Sequence, residues 1–179
     1  MTTIAKDDSK SKLNFNSVQL NIVTFVDVHK AVSRQCLDNC VHMIDNSPQS
    51  SYQGTAELQT TCKQGQVLNW IIYAMDADRR PDGTWPPSVK INNIVFLNKD
   101  GQDVAIYKIC EDLKVYGGPD KVRSSATPVY YYWAGTIPND LPVGVYKYRF
   151  VLELEKEASQ GSVYLNLETP SLNVIAMKS

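Results

Sequence analysis

Two histidines, His29 and His42, are the whole imidazole supply of this chain. Any Ser–His or Cys–His nucleophile pair would have to use one of them, and no third residue stands out to orient it. The sequence has no G-x-S-x-G, no H-E-x-x-H, no P-loop and no G-x-G-x-x-G, so the common hydrolase, metalloprotease and nucleotide-binding signatures are missing. No apolar run approaches the roughly 20 residues that span a bilayer as a helix. A net charge of −1 supplies no field for holding nucleic acid or anionic lipid. Cysteine is sparse: Cys36, Cys40, Cys62 and Cys110. Zinc would favour tighter pairs with more His or Cys partners, so reduced, half-buried structural thiols are the favoured reading, ahead of a disulfide. Helix signals are also scarce. The stretch HKAVSRQCLDNCVHMID is the one plausible helical segment, which would put Cys36 and Cys40 on one face.

Strand signals, by contrast, are frequent and come with turn residues between them. Residues 18–28 alternate apolar and polar with the period of a half-buried strand. VLNWIIYAM (67–75) suits a buried strand, and VKINNIVFL (89–97) follows it. The Asn98–Gly101 turn then lets 104–110 pair back as a hairpin. Residues 52–61 form a weaker strand, and VYYYWA (129–134) an aromatic one. In 145–154, Tyr146, Tyr148, Phe150, Leu152 and Leu154 share one face, and Lys147, Arg149 and Glu153 the other. Ser162–Leu167 and 172–177 complete the set, with Thr169-Pro170-Ser171 kinking the chain between them. Eight or nine strands with polar and apolar faces predict an all-β fold, an antiparallel β-sandwich of jelly-roll type with at most one short helix. The expected organisation is a flexible N-terminal tail over 1–16 and a single domain over 17–179. The polar N-terminus lacks the apolar middle of a secretory signal. Synthesis without Sec export is therefore expected, with a cytoplasmic location and other routes of release left open.

Candidate sites are few. The stretch AMDADRRPDGTWPP (74–87) holds Asp76, Asp78 and Asp82 between two apolar runs. Hard cations such as calcium collect carboxylate and carbonyl oxygens, and Asn92 or Asn93 could add more. The spacing rules out an EF-hand, since Arg80 and Val89 fall where ligands are needed. Arg79 and Arg80 can neutralise the aspartates directly. A connecting loop with paired charges is favoured, and calcium is the cofactor that the minority reading would bring. Trp85 in this loop is the candidate stacking platform for a sugar. Of the other aromatics, Trp70 and Trp133 are assigned to the core, and Tyr130, Tyr131 and Tyr132 complete the set that invites a carbohydrate reading. Asp27, a carboxylate inside an apolar strand, is a candidate ligand-binding residue. Otherwise it marks a strand end or pairs with Arg149 or His29.

The motifs NIVTFVDV, SYQGTAELQTTCKQGQVLNWIIYAMD, LKVYGGPD, VYYYWAGTIP and GVYKYRFVLELE, in that order, resemble the bacterial inclusion-body proteins of the PixA/AidA type, over residues 19–174. The resemblance implies a β-sandwich without known catalysis, associated with cytoplasmic inclusion bodies or quorum-sensing-regulated expression in host-associated bacteria. Four methionines in 179 residues depart from a methionine-rich composition and weaken any storage role based on it. Two functions compete. One is a self-associating, ligand-binding protein acting as a homo-oligomer. The other is a lectin-like carbohydrate-binding module, with or without calcium. An enzyme is not expected, nor a nucleic-acid partner or a membrane span.

Overall fold

The computed structural model describes residues 19–75, 87–98, 100–105, 109–118, 130–156 and 160–177. Eleven strands and one helix make up these residues. The strands are β1 (Leu20–Asp27), β2 (Val41–Asp45), β3 (Gln59–Lys63), β4 (Val67–Met75), β5 (Val89–Leu97), β6 (Asp103–Val104), β7 (Glu111–Gly117), β8 (Tyr131–Thr136), β9 (Gly144–Glu155), β10 (Ser162–Leu167) and β11 (Ser171–Ile175), and α1 (Val28–Arg34) follows β1. They form two sheets. Sheet A has the order β2-β1-β4-β8-β7, and sheet B the order β3-β11-β9-β5-β6, with β10 also on β9. The tail expected over 1–16 lies outside the described residues.

Alternation decides which side chains meet between the layers. In β9, Tyr148, Phe150, Leu152 and Leu154 are fully buried, while Lys147, Arg149 and Glu153 point away. In β1 and β4 the buried set is Leu20, Ile22, Thr24, Val26, Leu68, Trp70 and Ile72. Trp70 meets Tyr148 edge-on across the gap at 6.2 Å, and within sheet B Tyr148 contacts Phe96 at 5.9 Å and Phe150 at 5.2 Å. Such edge-to-face geometry suits the ring quadrupoles. Trp133 ties the two sheets together: its indole N–H donates to the Ile91 carbonyl at 2.8 Å.

The all-β sandwich expected from the pattern holds, with two amendments. β1 runs parallel to β4, and β3 parallel to β11, so both sheets are mixed rather than purely antiparallel, and the order of the described strands does not bear out the jelly roll specifically. β10 and β11 pair in turn with the two halves of β9, one interrupted strand with the kink at Pro170 where the sequence places it. The one short helix expected is present, and it covers only the start of the helical stretch. It ends at Gln35, whose left-handed backbone (φ 53°) caps it, and VHMID forms β2 on the edge of sheet A. Cys36 and Cys40 therefore lie beyond the helix. All four cysteines are free thiols, three of them buried.

The helix start shows what Asp27 does. It is 7% exposed, and its Oδ1 accepts the Lys30 backbone N–H at 3.0 Å, satisfying a donor that the first turn leaves open. Its own N–H donates to the Cys40 carbonyl. It marks a strand end, as one sequence reading has it. Arg149 instead pairs with Asp103 and Glu168. Asp27→Ala is expected to cost roughly 0.5–2 kcal/mol, and Asp27→Asn much less, read from the midpoints of urea unfolding curves.

Burial pushes the Cys62 and Cys110 thiols up from 9.0 to about 12. Between those values the unfolded chain loses thiol protons that the folded chain keeps. The stabilisation is therefore complete below about pH 9 and is lost as the pH rises toward 12. Unfolding free energy measured from pH 8 to 11 should fall more steeply in the wild type than in Cys62→Ala once the pH passes about 9, by up to about 1.4 kcal/mol per pH unit.

Candidate functional site

The outer faces of the two sheets are built from the residues that alternation leaves out of the core. On sheet A, register lines these residues up in rows. Asn21, Asn69, Ala134 and Lys114 share one row across β1, β4, β8 and β7. Val23, Ile71, Tyr132 and Tyr116 share the next, and Phe25 and Tyr73 begin a third. Tyr130, just before β8, joins the third row by ring contact with Tyr73 at 6.2 Å. These rows form a groove of about 480 Å³ bordered by Gln19, Asn21, Asn69, Tyr116, Tyr130 and Tyr132.

The amide end of the groove is fixed by hydrogen bonds. Asn69 points outward yet is only 8% exposed. Its Nδ2 donates to Asn21 Oδ1 at 2.9 Å and to Gln19 Oε1 at 3.2 Å. Asn46 anchors both neighbours, accepting the Asn21 backbone N–H at 2.8 Å and donating to the Gln19 carbonyl at 3.1 Å. Side chains locked in this way present their remaining polar capacity without losing rotamer entropy when they bind.

The aromatic end is a set of touching rings. Tyr116 stacks on Tyr132 with centroids 5.6 Å apart, Tyr130 meets Tyr132 at 6.2 Å, and Phe25 stacks on Tyr73 at 5.9 Å. Lys114 Nζ sits 5.4 Å over the Tyr116 ring, a cation–π arrangement that orients both. Burial, with Tyr130 beside it, pushes the Tyr73 phenol above its ordinary value. One glycine shapes the rim. Gly117 has φ 77°, and a Cβ there would meet the Tyr130 carbonyl at 2.4 Å, so the close approach of β7 to residue 130 needs glycine.

Of the aromatics considered from sequence, the structure brings Tyr130 and Tyr132 into the groove. It turns Trp133 inward, buries Trp70 and sets Tyr131 on the opposite side of β8. Asp76, Asp78, Asp82 and Trp85 lie outside the described residues. Asn92 is exposed at an irregular register step of β5, and Asn93 is half-buried with its Oδ1 accepting the Ile94 N–H. Both belong to sheet B, away from the groove. Among the described residues no group of three His, Cys, Asp or Glu side chains could hold a metal. Sequence reasoning missed Gln19, Asn21, Asn69 and Tyr116. The signal for two of them was the repeated Leu-Asn of "LNIV" and "LNWI". Parallel pairing of β1 with β4 turns that repeat into the Asn21–Asn69 pair.

A second depression, of about 360 Å³, lies beside α1 and is bordered by His29, Ser33, Glu155 and Lys156 over Val28 and Val32. The Glu155 carboxyl is held below its ordinary value by the Ser88 hydroxyl and backbone N–H, which donate to it at 2.9 and 3.3 Å. No hydrogen bond joins His29 to Glu155 or to Ser33, so no oriented acid–base pair is formed there.

The fold is shared with a solved structure. The crystal structure of the inclusion body protein PixA from Burkholderia cenocepacia aligns with a TM-score of 0.58 over 92% of this chain and 99% of that one, at 9% sequence identity. At that identity the likeness is one of fold, and it agrees with the fold that the motif resemblance implied. No curated protein matches the sequence. No helix among the described residues is long and apolar enough to cross a membrane. A family model does match residues 18–160, four-fifths of the chain and the whole of the groove, and the chain belongs to that family, the domain of unknown function DUF8788.

Proposed function

We propose that this protein is a non-catalytic binding module for a neutral saccharide, held in the tyrosine–amide groove of sheet A. The observation that carries this reading is the combination in one groove of stacked tyrosine rings with an amide cluster fixed by its own hydrogen bonds. Sugars have apolar C–H faces that lie on aromatic rings, and hydroxyls that both donate and accept. Amides and phenols do the same, so the two surfaces match group for group. The volume is in the range of small-ligand sites. Neutrality is the reading favoured because the described lining has no carboxylate or guanidinium, and the nearby Lys114 ammonium is already engaged over the Tyr116 ring. A charged ligand would shed its hydration there without a buried counter-charge.

Several features support a binding role over a catalytic one. The described residues that line the groove include no histidine, carboxylate or thiol. The buried thiols Cys40, Cys62 and Cys110 have raised values, which disfavours the thiolate nucleophile. Calcium is not needed for this reading, because none of the described groove residues is an acid.

Glycan-array screening followed by calorimetric titration tests the proposal. Tyr132→Ala is expected to weaken binding of an array hit roughly ten-fold or more, about 1.4 kcal/mol. Asn69→Ala should do likewise by releasing Asn21 and Gln19. A chelator should leave the titration unchanged. Binding that survives Tyr132→Ala, or that disappears with chelator, contradicts the proposed site.

A further inference from the structure

A sheet edge presents unpaired backbone N–H and C=O groups, and proteins usually cover or blunt it. Most edges here are treated in that way. On sheet A, the turn at residues 53–55 covers β2: Met43 N–H donates to the Thr55 carbonyl, Gly54 N–H to the Met43 carbonyl, and the Gln53 side chain accepts the Asp45 N–H. The opposite edge, β7, carries Glu111, Asp112 and Lys114, and its register breaks between Glu111 and Lys114. On sheet B, residues 49–51 cover β3: Ser51 and Gln59 exchange both backbone bonds at 3.0 Å, and Ser50 Oγ accepts the Thr61 N–H. β6 is only two residues long.

Among the described residues β10 has none of these defences. Its sequence, SVYLNL, contains no charge, proline or glycine. Its six residues pair with β9 in unbroken register. Among the described residues no backbone hydrogen bond reaches its other side. Tyr164 stands 58% exposed in the middle of it.

We propose that β10 is an interface: it pairs antiparallel with the β10 of a second copy about a two-fold axis at Tyr164. Directly opposed residues in an antiparallel pair share a face, which admits only registers that set outward residues against outward ones. The register centred on Tyr164 sets Tyr164 against the partner's Tyr164, Val163 against the partner's Leu165, and Ser162 against the partner's Asn166. Ring meets ring, aliphatic meets aliphatic and polar meets polar, which is the favourable pattern for cross-strand pairs. A second copy is the occupant because this match uses one sequence twice, as an isologous interface must. A net charge of −1 per chain sets little repulsion against it. The proposal is independent of the saccharide groove, which lies on the other sheet.

Sedimentation velocity of the full chain, with circular dichroism to confirm folding, tests the interface. The wild type is expected at twice the 20.1 kDa chain mass at high micromolar concentration. Tyr164→Lys and Tyr164→Glu should each halve that mass, since like charges would then face each other across the axis. An equimolar mixture of the two should recover the dimer. A wild type that stays at one chain mass, a Tyr164→Lys variant that still dimerises, or a mixture that stays monomeric overturns the proposal. Should the variants fail to fold, hydrogen exchange of the wild type decides. Amides of Ser162–Leu167 are expected to lose protection on dilution, and protection unchanged by dilution overturns the interface.

Discussion

Everything on the surface of this molecule depends on how its inner faces are filled. Trp70 and Tyr148 are fully buried and meet edge-on between the sheets, and Trp133 spans the gap to the Ile91 carbonyl. Because side chains alternate along a strand, seating Trp133 inward turns Tyr132 outward. A slip by one residue would expose the indole and bury the phenol. Likewise Leu20 and Leu68 inward mean Asn21 and Asn69 outward. The core therefore sets which residues build the groove, and a change that repacks Trp133 reaches the outer face of sheet A without touching it.

Once the core has taken the large apolar residues, the two outer faces are free to differ, and they do. The outer face of sheet B is laced with charge. Lys90 pairs with Glu153, and Arg149 with both Asp103 and Glu168. Exposed pairs of this kind contribute only about 0–1 kcal/mol each, and their main effect is to keep the face hydrated. The outer face of sheet A has rings and amides instead, with Lys114 drawn over Tyr116. An apolar face left open costs solubility unless it has an occupant. The amide network is also more ordered than a surface needs for hydration alone, since Asn46, Gln19, Asn21 and Asn69 are joined in one chain of bonds.

The layers were legible in the sequence because burial is written in period two. VLNWIIYAM and VKINNIVFL become β4 and β5 with the bounds the pattern predicts, and SVYLNL becomes β10. What alternation cannot carry is the identity of a strand's neighbour. The parallel pairs β1–β4 and β3–β11 join segments distant in sequence, and no local pattern encodes that choice. For the same reason the site was only half visible. The tyrosines of YYYW drew notice as aromatics, whereas Asn21 and Asn69 became a feature only once register placed them side by side. The helix was overextended because VHMID fits a helical or a strand period equally well over five residues. The left-handed residue that ends the helix, Gln35, is one that sequence rarely signals.

On the two proposals, the faces and the edges would divide the work between the two sheets. Growth of a sheet through its edge consumes backbone groups and leaves both faces open. Coverage of a face consumes side chains and leaves the edges open. An interface along β10 would extend sheet B and keep the groove of sheet A free on each copy. The two-fold axis would fix the spacing of two such grooves rigidly. A single shallow groove binds a neutral sugar weakly, because each hydroxyl it engages was already satisfied by water. Two grooves held at a fixed distance turn the second contact into an intramolecular step, with affinity gained through effective concentration rather than new contacts. A surface bearing repeated neutral glycans would be bound far more tightly than any one of its sugars. The uncharged edge that most sandwiches avoid would here be the device that makes weak recognition sufficient.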